Sequence, residues 1–150
     1  MNKKIIKTKL ISFMIFIIII STITGCSIND NSDDNNNNKN NQINNDPNKI
    51  TIVFFWGDGC PHCEEQKPFL EELEKKYPDK IEIKMFETWK NPENAKLFQE
   101  TAKKYDTTAR GVPVTFIQDE YWVGYSKNIA NEIENKIKYC IENTCVDKLN

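Results

Sequence analysis

The sequence predicts an α/β domain: a four-stranded mixed sheet with helices on both faces, in the order β-α-β-α-β-β-α. Three observations predict it. Residues 50–56, Ile-Thr-Ile-Val-Phe-Phe-Trp, are an unbroken apolar, β-branched and aromatic run of strand length, the pattern of a strand covered on both faces and therefore central. Helix-period segments then flank the alternating stretch 81–86. Finally, Val114 to Ile117 and Tyr121 to Val123, separated by Gln118-Asp119-Glu120, read as a hairpin that feeds a last amphipathic segment. A strand-helix-strand unit leading into a hairpin and a helix folds into one mixed sheet with two helical layers.

The elements follow in order. From Pro61 to about Tyr77, the residues Cys63, Leu70, Leu73 and Tyr77 recur at helical spacing, and Pro78 ends the run. Residues 81–86, Ile-Glu-Ile-Lys-Met-Phe, alternate apolar and polar and give the second strand. Asn91-Pro92-Glu93 supplies a cap, a first-turn proline and a first-turn acid, after which Ala95, Phe98, Ala102 and Tyr105 mark one face of a second helix. Ser126 caps the last helix, whose inner face carries Ile129, Ile133, Ile137 and Cys140. No internal repeat is visible.

The chain before this domain has a different character. Lys3, Lys4, Lys7 and Lys9 precede the apolar run Leu10 to Ile20, the pattern of an export signal over residues 1–25. The apolar stretch is too short for a span, which needs about 20 residues. Residues 23–26, Ile-Thr-Gly-Cys, resemble the lipobox of bacterial lipoproteins, which implies that Cys26 becomes a lipid-carrying N-terminus after cleavage. Residues 26–48 read as an Asn-rich disordered tether, with 11 Asn in 27–48 and only Ile28 and Ile43 as aliphatic side chains. As a flexible coil it spans roughly 25 Å. The expected location is the extracytoplasmic face of a bacterial cell membrane, held there by the lipid anchor. The full chain carries a net charge of −2; loss of the leader leaves 16 basic against 22 acidic residues, and nothing in that balance points to nucleic acid. Residues 49–150 form a single domain, large enough for a modest core.

With Cys26 acylated, Cys60, Cys63, Cys140 and Cys145 remain as sulfurs in an oxidising compartment. Residues 57–63, Gly-Asp-Gly-Cys-Pro-His-Cys, hold two of them around His62, the only histidine of the chain. A strand ending at Trp56, a glycine-bearing turn and a helix beginning at Pro61 put Cys60 at a helix start. Unpaired N–H groups and the positive end of the helix dipole there favour a thiolate, which makes Cys60 the expected nucleophile. Cys63, inside the first turn, is placed to attack a mixed disulfide on Cys60 and so to resolve it. His62 adds positive charge or a donor beside the thiolate. By linkage, stabilising the dithiol makes the disulfide a stronger oxidant.

These landmarks together resemble the thioredoxin-like superfamily. Phe55-Trp56 precedes Cys60 by the spacing of that family's aromatic pair, and Pro68 stands where its first helix is kinked. Arg110-Gly111-Val112-Pro113-Val114 is similar to its cis-proline loop, and Val123-Gly124-Tyr125-Ser126-Lys127 to the segment that starts its last helix. The resemblance implies the minimal thioredoxin-like fold and a site in which Trp56, Pro61, Val112 and Pro113 contact substrate, with the backbone before Pro113 pairing to the client as an added strand. Cys-Pro-His-Cys is the motif of the DsbA-type oxidants, which implies a disulfide donor acting on exported cysteine-containing proteins and recycled by a membrane redox partner. No organic cofactor and no metal are expected, and the chain is expected to be a monomer. The sequence departs from thioredoxins at two positions. Phe54 stands where they keep a buried proton-relay acid, with Asp58, Glu64 and Glu65 given no role, and Gly59 replaces the tryptophan beside the first cysteine.

Other readings remain open. The Cys60/Cys63 pair also suits a reductase serving cytochrome maturation or surface-protein repair, or a copper-delivery protein. Four sulfurs suit zinc, although a helix start at Pro61 disfavours that geometry. Cys140 and Cys145 make either a local disulfide, with the helix broken at Asn143, or a relay pair serving Cys60 and Cys63.

Overall fold

The computed structural model describes residues 43–149. The signal segment 1–25, the lipidation candidate Cys26 and residues 26–42 of the tether lie outside the described residues. Within them the elements are β1 (Ile50–Trp56), α1 (Pro61–Lys76), β2 (Ile81–Glu87), α2 (Pro92–Lys104), β3 (Val114–Ile117), β4 (Glu120–Val123) and α3 (Lys127–Glu142). The sheet order is β2-β1-β3-β4, with β1 parallel to β2 and antiparallel to β3, and β4 antiparallel to β3. This is the thioredoxin-like α/β fold expected from the element order. None of the described helices is long and apolar enough to cross a membrane.

Side chains of β1 alternate between two cores, as the two-residue repeat of a strand requires. Ile50, Ile52 and Phe54 point into a cluster with Leu70 and Leu73 of α1 and Ile133 and Ile137 of α3. Val53 and Phe55 point the other way, onto Leu97, Phe98, Ala102 and Tyr105 around α2 and onto Phe116 of β3. Phe55 stacks on Phe98 with centroids 4.7 Å apart and meets Phe116 edge-on at 5.9 Å. Each such fully buried aromatic or branched side chain stabilises the fold by roughly 1.5–3 kcal/mol.

The helix ends follow their capping chemistry. Asn91 Oδ1 accepts the N–H groups of Glu93 and Asn94, and Ser126 Oγ accepts that of Ile129. Asn143 ends α3: its backbone N–H and its Nδ2 both donate to the Tyr139 carbonyl. The inner face of α2 is carried by Leu97, Phe98, Thr101 and Ala102, so Leu97 and Thr101 take part of the place expected of Ala95, which is only half-buried.

Two segments outside the regular elements close the molecule. Residues 43–48, assigned by composition to the tether, lie against the domain: Ile43 packs on the α2-side cluster, and the Asp46 N–H donates to Glu82 Oε1 at 2.8 Å. Composition could not show this, because one aliphatic residue suffices where a half-covered core already waits. At the other end, Cys140 and Cys145 are disulfide-bonded, with Cα atoms 5.4 Å apart. The chain then turns back so that the Lys148 N–H donates to the Gln118 carbonyl and Leu149 is buried in the α2-side cluster.

Candidate functional site

Cys60 caps α1. With φ −80° and ψ 114° it is extended, its carbonyl accepts the N–H groups of Cys63 and Glu64, and its Sγ accepts the Cys63 N–H at 3.3 Å. A sulfur in the N-cap position therefore meets backbone donors that a helix start leaves unsatisfied. Pro61 sits exposed in the first helical turn, where a missing N–H costs nothing. Cys60 and Cys63 are disulfide-bonded, with Cα atoms 5.2 Å apart; Cys60 is nearly buried and Cys63 completely so.

The opposite wall is the loop before β3. Antiparallel pairing of Phe55 with Val114 brings the start of β3 to the end of β1. The Val112–Pro113 peptide is cis, and the Val112 carbonyl oxygen lies 3.7 Å from Cys60 Sγ. Pro113 is buried, and its carbonyl accepts the Gly124 N–H at 2.8 Å, which ties the start of α3 to the same corner. Trp56 flanks the pair from the end of β1, with Lys67 Nζ 3.3 Å from its ring centroid.

The structure thus brings Cys60, Pro61, Cys63, Val112 and Pro113 together and leaves His62 and the Cys140–Cys145 pair further out. His62 is exposed, with Nδ1 3.3 Å from Glu65 Oε2. Cys140 and Cys145 sit at the far end of α3. The four sulfurs form two separate disulfides, and among the described residues no group of three or more His, Cys, Asp or Glu is arranged to hold a metal ion. The three carboxylates near the motif are all engaged at the surface: Asp58 with Lys90, Glu64 with Lys67 at 2.7 Å, and Glu65 with His62. The hydrogen bond from Lys90 holds the Asp58 carboxyl below its ordinary range.

Two features escaped sequence reasoning. Gln66 is completely buried one helical turn after Cys63, on the same face. Its Nε2 donates to Thr115 Oγ1 at 2.7 Å, and its Oε1 has no hydrogen-bond partner among the described residues. The signal was present: 63, 66, 70 and 73 follow the inward repeat of α1, and a polar residue at one of those positions marks a buried polar contact. The other feature is the β2–α2 turn, which is fastened to the β1–α1 turn. Thr88 donates its N–H and its hydroxyl to the Trp56 carbonyl at 2.8 and 3.0 Å. The Glu87 carboxylate accepts the N–H groups of Asp58, Trp89 and Lys90. Burial works to raise the Glu87 carboxyl, but these donors outweigh it and hold it below its ordinary range.

The chain is similar to known proteins over part of its length. The thioredoxin family profile matches residues 31–102. A thioredoxin of Methanocaldococcus jannaschii is 34% identical over 47 residues, 31% of this chain; the match spans 55% of that protein, about half its length. Among solved structures, mitochondrial thioredoxin 3 of Saccharomyces cerevisiae in its oxidised form superposes with a TM-score of 0.46 at 18% identity, over 61% of this chain and 79% of that one. Spinach chloroplast thioredoxin F gives 0.48 at 22% identity, over 61% and 78%.

Proposed function

From a thioredoxin-like fold carrying a Cys-x-x-Cys disulfide at a helix start, we propose that this protein is a thiol-disulfide oxidoreductase that passes its Cys60–Cys63 disulfide to exported, cysteine-containing proteins. The observation that carries the reading is Cys60 Sγ, capped by the Cys63 N–H at 3.3 Å and 3.7 Å from the Val112 carbonyl. A client thiolate attacks Cys60 Sγ. The Cys60–Cys63 bond breaks, and Cys63 leaves as a thiolate that takes up a proton. A second client thiolate then attacks the client sulfur of the mixed disulfide, and Cys60 leaves with the bonding electrons, so the client is oxidised by two electrons and the protein reduced by two. Cys60 is the better leaving group because donors at the helix start stabilise its anion. A protonated His62 ring two residues on would favour the same anion. The Val112 carbonyl, at the edge of the site, is an acceptor for a client backbone N–H, as in strand addition.

The leader, Cys26 and the Asn-rich segment support placing this activity outside the cytoplasm on a lipid anchor, with a membrane partner re-oxidising the dithiol. The test is a Cys63→Ser trap in the full-length protein: Cys60 then captures clients as mixed disulfides that thiol reductant releases. Clients found reduced in a strain lacking the protein support the oxidant direction, and clients found over-oxidised reverse it. A trap that captures nothing, alongside wild-type protein that exchanges with no dithiol, sinks the reading.

A further inference from the structure

Trp89, in the turn between β2 and α2, is a large aromatic side chain left 60% exposed, yet its seat is closely specified. A Cβ built on Gly57 would overlap Cδ2 and Cε2 of the indole, the two atoms shared by its rings, and would lie 2.8 Å from Cε3. The middle of the indole face therefore rests on the Gly57 backbone. Gly57 is buried, and its φ lies outside the left-handed region, so the ring and not the backbone turn is what requires glycine there. The same turn presents the nucleophile, because the Gly57 carbonyl accepts the Cys60 N–H at 3.1 Å. The ring is kept in place from below: Glu87 binds its backbone N–H at 2.9 Å, and Lys90 pairs with Asp58 across the two turns.

We propose that Trp89 is a specificity-determining residue that reads an apolar or aromatic side chain two or three positions from the client cysteine. The inference rests on the exchange reading above and names what that site selects. A four-residue turn keeps its end Cα atoms within about 7 Å, so the ring stands within reach of whatever docks on Cys60. An extended client advances about 3.3 Å per residue, which brings its second or third residue from the cysteine onto the outer indole face. The approach is open: Gly59 and Gly111, which directly precede Cys60 and Val112 in the chain, have nothing within 4 Å of where a Cβ would stand. The charges beside the ring are already engaged, Asp58 by Lys90 and Glu87 by three backbone N–H groups, so the indole face itself is what the site offers to a passing side chain.

The test uses the oxidised full-length protein and two dithiol peptides that differ only at the third residue from the first cysteine, Phe in one and Ser in the other. Second-order rate constants for peptide oxidation are read by chromatography. Wild type should prefer the Phe peptide by roughly tenfold, the discrimination one apolar contact supplies. Trp89→Ala should bring the ratio close to one, and Trp89→Phe should restore most of it. Gly57→Ala, which displaces the ring while leaving it in the chain, should lower the ratio as Trp89→Ala does. A merely structural role would slow both peptides alike and leave the ratio intact, and that outcome overturns the inference, as does a wild type that oxidises both peptides equally fast. A wild type that oxidises neither peptide fails the exchange reading itself, and this inference with it.

Discussion

Replacing Cys140 and Cys145 together by serine separates a strap from a relay. The bond closes a loop with a sequence separation of only 5, for which the chain-entropy relation gives about 2 kcal/mol. For a domain of this size that corresponds to a fall in Tm of roughly 10 °C. The expected consequence is local to the tail. With the bond broken, the turn that returns Leu149 to the α2-side cluster loses its constraint, and the Lys104 Nζ contact to the Leu149 carbonyl, 2.7 Å, loosens with it. Exchange at Cys60 should be unaffected, because the start of α3 is tied to Pro113 and Cys140 lies roughly 20 Å further along the helix at about 1.5 Å per residue. Calorimetry of the oxidised protein and steady-state oxidation of a dithiol peptide, with a disulfide oxidant present to recycle the Cys60–Cys63 pair, are the two measurements. A double serine variant that melts like wild type while its exchange under turnover slows tenfold would refute the strap and restore the relay.

Further expectations concern buried and charged contacts. Gln66→Leu and Thr115→Val should each cost about 1–3 kcal/mol in urea melts, by orphaning the partner of the 2.7 Å bond. The double variant should recover most of that loss, and strictly additive costs would refute the pairing. Glu134 is held at about 2, first by the Lys76 hydrogen bond and then by that of Lys138, against an ordinary 4.5. Its folded-state pKa is depressed, so the stabilisation is present above pH 4.5 and drains away as pH falls toward 2. Glu134→Gln should therefore melt about a few degrees below wild type at pH 7 and together with it near pH 2, the small scale expected of surface ion pairs; a gap that persists at pH 2 would assign the loss to another cause.

How far the sequence could be read depended on whether the determining pattern was local. Ile50–Trp56, the Asn91-Pro92 start and the Ser126 cap announce their elements within a few residues, and the sheet order follows from the sequence of elements. Gln66 was passed over because an apolar repeat hides a polar residue whose partner, Thr115, is far away in the chain and meets it only once β3 is seated. Trp89 carries no local signal for the same reason: its relation to Gly57 joins two turns that only the parallel pairing of β1 with β2 brings together. Residues 43–48 illustrate the converse, where a polar composition conceals the single apolar residue that docks.

The register of the sheet does as much for the site as any residue in it. Cys60 follows the end of β1 and Val112 precedes the start of β3, and the two meet because antiparallel pairing sets Phe55 opposite Val114. A one-residue slip of β3 would turn Thr115 and Ile117 away from the α1 side and bring Val114 and Phe116 onto it, exchanging the contents of the two cores. It would also carry Val112 about 3.3 Å along the strand, enough to separate its carbonyl from Cys60 Sγ. The aromatic contacts of Phe116 with Phe55 and Tyr105 oppose that slip on one face, and the Gln66–Thr115 bond opposes it on the other. The buried glutamine thus contributes to the site at a distance. It keeps β3 in the one register that sets the Val112 carbonyl beside Cys60 Sγ.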